Sequence, residues 1–274
     1  MAVGGGGGIL AIIVVLVMTW GEFSPEFQKL AQEGINRIEV PRAAGGANAG
    51  GGIDDDTAEF VRVVLRDTEV VWTKIFDTTP GLEGISYKEP ELDLFTGSVG
   101  TKCGPGQAAM GPFYCPADQK IYIDPTFFDD LATRHNAPGD FAQAYVIAHE
   151  VAHHVQNLLG DSRRLQQIRA SGSKIESNRG SVRLELQADF LAGVWTHHAQ
   201  MGMGNLEDGD LEEALNAASQ IGDDTLQKMS TGHVDVSKFT HGSSKQRIRW
   251  FREGVKGGQL ADKDLLWDLG YDEL

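Results

Sequence analysis

The feature that most constrains the fold is the pentad His149-Glu150-Val151-Ala152-His153, set in a run over 141–159 that contains neither Pro nor Gly. At about 100° per residue, His149 and His153 stand roughly 40° apart on one face of a helix, so both imidazoles reach one ion while Glu150 flanks it. The opposite face carries Ile147, Val151, Val155 and Leu158, a stripe that a globular domain buries. The chain therefore needs a helix with one side in the core and the other toward a metal. His154 falls beside Val151 and Val155 and reads as a hydrogen-bonded core histidine, not a ligand.

A catalytic zinc takes three protein ligands and keeps one position open. The third is expected to be Glu185, within Arg183-Leu184-Glu185-Leu186-Gln187-Ala188-Asp189, with His197, His198 and His241 as alternatives. Glu185 and Asp189 are four apart on a second predicted helix. That spacing puts one carboxylate on the metal and the other a turn further on, where it can accept a ring N–H from a ligand histidine. Ala148, Ala152, Ala188, Ala192 and Gly193 are small enough to let the two helices approach.

The remaining pattern supplies a scaffold for these helices. Asp54-Asp55-Asp56 suit a helix start, and Phe60, Val63, Val64, Val70, Val71 and Trp72 continue it over 55–76, where Thr79-Pro80-Gly81 ends it. Pro and Gly recur over 85–124, with β-rich runs at 92–99, 111–114 and 120–123. Beyond Phe127 the pattern is helical, chiefly at 141–159, 181–200, 211–218 and 244–254. The expected class is α+β, a helix-rich domain with a small antiparallel sheet.

Charge excludes one class of partner. Asp and Glu number 39 against 24 Lys and Arg, a net charge of −15, the wrong sign for a surface that binds nucleic acid. At the amino end, residues 2–21 carry no charge and 9–20 (ILAIIVVLVMTW) are strongly apolar, which is just enough to span hydrocarbon. The run lacks the basic start and small-residue cleavage site of a signal peptide, so an uncleaved single-pass transmembrane helix in the cell membrane is expected. No Lys or Arg precedes it to orient it. The expected division is a transmembrane anchor at 1–21, a juxtamembrane segment with a Gly/Ala-rich linker at 22–53, and one metal-binding domain at 54–274. Cys103 and Cys115, 12 positions apart, could be bridged or remain free buried thiols, and a domain outside the cytoplasm favours the bridge.

The H-E-x-x-H helix followed by a separate E-x-x-x-D helix resembles the gluzincin metallopeptidases. More closely, the chain is similar to the putative neutral zinc metallopeptidase family of bacterial membrane-anchored proteins. The resemblance is carried by GPFYCPAD at 111–118, IYID at 121–124, HEVAHHVQN at 149–157, RLELQADFLAGVW at 183–195 and FTHGSSKQRIRWF at 239–251. It implies a zincin-like domain with one zinc per chain, tethered to a membrane and acting on a peptide or protein substrate. In such a site His149, His153 and Glu185 hold zinc, Asp189 supports a ligand, and Glu150 is the general base that takes a proton from water. His241 and Arg247 are expected to line the cleft and stabilise the oxyanion. Substrate would lie extended along a sheet edge at 92–99 or 111–114. The rival reading is a non-catalytic zinc-binding scaffold tethered to the membrane. Glu150 speaks against it, because a structural zinc has no need of a carboxylate beside an open position.

Overall fold

Helix α1, Asp55–Thr78, starts where the aspartates place it: Asp54 caps it by accepting from the Thr57 N–H at 2.8 Å, and Asp55 and Asp56 face the positive end of the helix dipole. Its buried face runs through Phe60, Val64, Val71, Trp72 and Phe76. In this computed structural model the described residues are 54–203 and 206–274, so the transmembrane helix expected at 1–21 and the segment 22–53 lie outside them. Among the described residues no helix is long and apolar enough to cross a membrane.

The sheet corrects the expectation of an antiparallel one. Strand β1 (Glu91–Leu94) pairs parallel to β5 (Lys120–Ile123), and β4 (Phe113–Cys115) pairs antiparallel to β5, giving a mixed sheet of order β1-β5-β4. Strands β2 (Ser98–Thr101) and β3 (Gly104–Gln107) form a separate antiparallel hairpin. The cause lies at Gly97, which adopts a φ of 75° and donates its N–H to Asp124 at 2.7 Å. A turn available chiefly to glycine splits the apolar run over 92–99, so its halves join different sheets. Cys103, between β2 and β3, is joined to Cys115 of β4 by a disulfide with Cα atoms 5.8 Å apart. The central strand is buried through Ile121, Tyr122 and Ile123, while β1 and β4 are the edges.

Helix α2 (Thr126–Thr133) leads to α3 (Asp140–Leu159), which carries the histidine pentad and ends at Gly160 in the left-handed region. Ile147, Val151 and Val155 of α3 are fully buried, as the apolar stripe requires. After α4 (Asp161–Ser171) comes α5 (Lys174–Met203), followed by α6 (Asp210–Gln220), α7 (Asp223–Thr231), α8 (Ser244–Gly257) and α9 (Leu265–Asp268). Helix α8 begins in a capping box between Ser243 and Gln246. It crosses α5 backbone to backbone: a Cβ on Gly193 would lie 2.2 Å from the Phe251 carbonyl oxygen, and one on Gly254 would lie 2.0 Å from that of Phe190. That contact brings Arg247 against Asp189.

Candidate metal centre

The three expected ligands converge. His149 and His153 come from adjacent turns of α3, and Glu185 comes from α5. His149 Nε2 lies 3.2 Å and His153 Nε2 3.6 Å from the same Glu185 oxygen, and all three ligand atoms lie within 4.8 Å of one another. Two imidazole nitrogens and one carboxylate oxygen are the donor set of an open catalytic zinc site. Both histidines have Nδ1 engaged elsewhere, so both present Nε2 to one point. The residues fit a zinc ion.

Behind His149 the surroundings are ionic. Its Nδ1 lies 2.9 Å from Asp189 Oδ1, and Asp189 has no exposed surface. The same oxygen accepts from Tyr145 Oη at 2.5 Å and from Arg247 Nη2 at 2.9 Å, while Arg247 Nε donates to Oδ2 at 2.8 Å. Burial works against the charge of Asp189, but Arg247 and His149 hold its carboxyl below the usual range. An ionised carboxylate only accepts, so Nδ1 of His149 carries the proton and Nε2 is turned to the metal position.

Behind His153 they are neutral. Its Nδ1 lies 2.8 Å from Gln156 Oε1, and Gln156 Nε2 donates to the Leu184 carbonyl at 2.7 Å and to Gln187 Oε1 at 2.9 Å. Burial works against charge at His149, yet Asp189 and Glu185 outweigh it and raise His149 to about 9. His153 is likewise raised by Glu185 against the effect of burial. Glu185 is held well below the carboxylate range, with burial opposing and the two histidines prevailing. The field of the site thus favours positive charge at the imidazoles, the sign a divalent cation brings.

Glu150 follows His149 on α3, is 7% exposed, and its side chain makes no hydrogen bond or ion pair among the described residues. His154 points away, with Nε2 2.5 Å from the Lys88 carbonyl and Nδ1 2.9 Å from Tyr114 Oη. The side chain of His241 is 51% exposed; its Nδ1 lies 3.2 Å from Asp223 Oδ1, and the charges of Asp223 and Glu185 raise its pKa. Arg247, expected to line a cleft with it, does not share that exposure. It is 3% exposed and sits behind His149, its guanidinium also donating to the Ile221 carbonyl at 3.2 Å. The rings of His197 and His198 bond the carbonyls of Val255 and Gly258, away from Glu185.

Four functional neighbours escaped sequence reasoning: Tyr145, Gln156, Gln187 and Asp223. Tyr145 and Gln156 carried a usable signal, lying four residues before His149 and three after His153 on the same helix. A second group, Asp140, Asp210 and Glu213, also converges within 4.8 Å. It is partly exposed and contains no imidazole, and no metal is assigned to it.

A family profile described as putative neutral zinc metallopeptidase matches residues 1–266 of the chain. "Uncharacterized protein YpfJ" of Escherichia coli K12 is 45% identical over 263 residues, covering 94% of this chain and 85% of that protein. "Uncharacterized protein Rv2575" of Mycobacterium tuberculosis H37Rv is 42% identical over 231 residues, covering 78% of this chain and 74% of that protein. No solved structure matches the chain significantly.

Proposed function

The chain belongs to the putative neutral zinc metallopeptidase family, and from that premise we propose that it hydrolyses peptide bonds at one zinc held by His149, His153 and Glu185. When bound, zinc supplies a Lewis acid for the scissile carbonyl and lowers the pKa of water to about 7. Glu150 takes the proton from the attacking water and returns it to the leaving amine, the part of the reaction that needs a carboxylate one residue past a ligand. His241, half-exposed and with its pKa raised by the hydrogen bond to Asp223 and the charge of Glu185, donates to the carbonyl oxygen as negative charge develops on it.

Arg247 takes a different part from that oxyanion contact. Through two N–H groups on Asp189 it keeps that carboxylate ionised, and Asp189 keeps the His149 ring in place. It is a positioning residue. Substrate lies extended along an edge of the mixed sheet, β1 or β4, where main-chain bonds hold a peptide with little side-chain selection. The uncharged run at 2–21 anchors the chain in the membrane, and the domain lies outside the cytoplasm, where a disulfide such as Cys103–Cys115 persists.

The observation that carries this reading is the convergence of His149, His153 and Glu185 with Glu150 beside them. Glu150→Gln keeps the shape and removes the basicity. It should lower peptide cleavage by about 10² to 10⁴, while zinc content and melting temperature stay at the wild-type values. Zinc-loaded wild type that cuts nothing in a diverse peptide library would leave the non-catalytic scaffold as the better account.

A further inference from the structure

The direction of each hydrogen bond leading away from His153 follows from one end of the chain of contacts. The Leu184 carbonyl only accepts, so the Gln156 amide must turn Nε2 toward it, at 2.7 Å. That leaves Oε1 facing His153 Nδ1 at 2.8 Å. An amide oxygen also only accepts, so Nδ1 carries the ring proton and Nε2 is the atom offered to the metal. The other N–H of Gln156 donates to Gln187 Oε1 at 2.9 Å, which turns Gln187 Nε2 to the Lys263 carbonyl at 3.1 Å. Gln156 and Gln187 have no exposed surface. Neither amide is available to water, and the protein satisfies them instead.

We infer that Gln156 and Gln187 are positioning residues for the metal centre, a buried amide relay that holds the His153 ring with its proton on Nδ1 and ties it to the 3₁₀ turn Leu260–Asp264 near the C-terminus. The inference rests on the ligand set proposed above. Leu184 immediately precedes Glu185, so the amide that orients one ligand also grips the backbone that delivers another. A carboxylate in place of Gln156 could accept from the histidine but could not donate to Leu184. An amide does both and needs no counter-charge.

The test is zinc affinity of the full-length protein, measured by competition with a chelator, together with nitrogen NMR of the His153 ring in the zinc-loaded wild type. Gln156→Leu should weaken zinc binding by about 10 to 100-fold, the usual cost of losing a partner behind a ligand. Gln187→Leu should cost less, because Leu184 still orients the Gln156 amide. Gln156→Glu should recover only part of the affinity lost in Gln156→Leu, since it still accepts from Nδ1 but no longer donates to Leu184 or Gln187, and the wild-type ring spectrum should show the proton on Nδ1. Wild-type affinity in folded Gln156→Leu, no recovery in folded Gln156→Glu, or a proton on Nε2 would each overturn the relay. If Gln156→Leu does not fold, the wild-type ring spectrum and Gln187→Leu decide. His153→Ala is the control: wild-type affinity there would overturn the ligand assignment and the relay with it.

Discussion

His149 and His153 stand one helical turn apart on α3, point at the same Glu185 oxygen, and are held by opposite chemistries. Behind the first lies a buried ion pair, Asp189 with Arg247, joined by Tyr145. Behind the second lie two amides and a backbone carbonyl. An ionic support puts a strong field on its histidine, but removing one partner strands a charge in the interior at a cost of about 3–5 kcal/mol. An amide support exerts little field, and its loss costs the unmet hydrogen bonds, about 1–3 kcal/mol. The charged side therefore governs how readily the centre accepts a cation, and the neutral side governs where the second nitrogen points.

The largest expected effect tests the charged side. Arg247→Met should lower the free energy of unfolding by about 3–5 kcal/mol in urea titrations, against about 1–3 kcal/mol for Gln156→Leu. Equal costs would break the contrast. Adding Asp189→Asn to Arg247→Met should restore part of the loss, because no buried charge is then left without its partner.

Metal affinity comes next. Asp189→Asn should weaken zinc binding by about 10 to 100-fold in a chelator competition. Wild-type affinity in that variant would mean that the ring of His149 needs no ionic support.

The pH response sharpens the comparison further. His149 is raised from 6.5 to about 9 in the metal-free protein, so the stability it contributes is fully present below its unfolded value and is lost as pH rises through about 9. Zinc displaces that proton and should bind more tightly over the same interval. Unfolding measured at pH 6 and above pH 9, with and without chelator, should show the metal-free protein weakening as pH rises. A metal-free protein that gains stability across this interval would contradict the ionic account of His149.

The smallest effect separates the position of α8 from its chemistry. Ser243→Ala removes the capping box and should cost about 1 kcal/mol in thermal unfolding without changing zinc affinity. A loss of zinc affinity would show that fraying of α8 reaches Arg247.

What was legible in the chain followed from local geometry. The pairs His149/His153 and Glu185/Asp189 each repeat at one helical turn, a spacing that needs no knowledge of the rest of the fold. Arg247 was visible as a cation but not as the partner of Asp189, because only the Gly193–Gly254 crossing brings α8 over α5. Gln156 and Gln187 carry polar side chains of a kind usually left at the surface, and only the packing of α3 against α5 shows them buried. The parallel pairing of β1 with β5 is a non-local contact that depends on the turn at Gly97. Helix α5 starts at Lys174, ahead of the expected 181, because Gly180 serves close packing: a Cβ there would lie 3.0 Å from Leu165 Cδ1.

The pairing of Asp189 with Arg247 also has a meaning in time. During synthesis at roughly 5–20 residues per second, Asp189 leaves the ribosome several seconds before the guanidinium that neutralises it. Through that interval the nascent chain already contains His149, His153 and Glu185 but lacks the counter-charge on which their framework closes. The ion pair behind His149 thus cannot close until α8 has been made. A polypeptide interrupted before α8 would carry His149, His153 and Glu185 but leave Asp189 without the guanidinium that neutralises it.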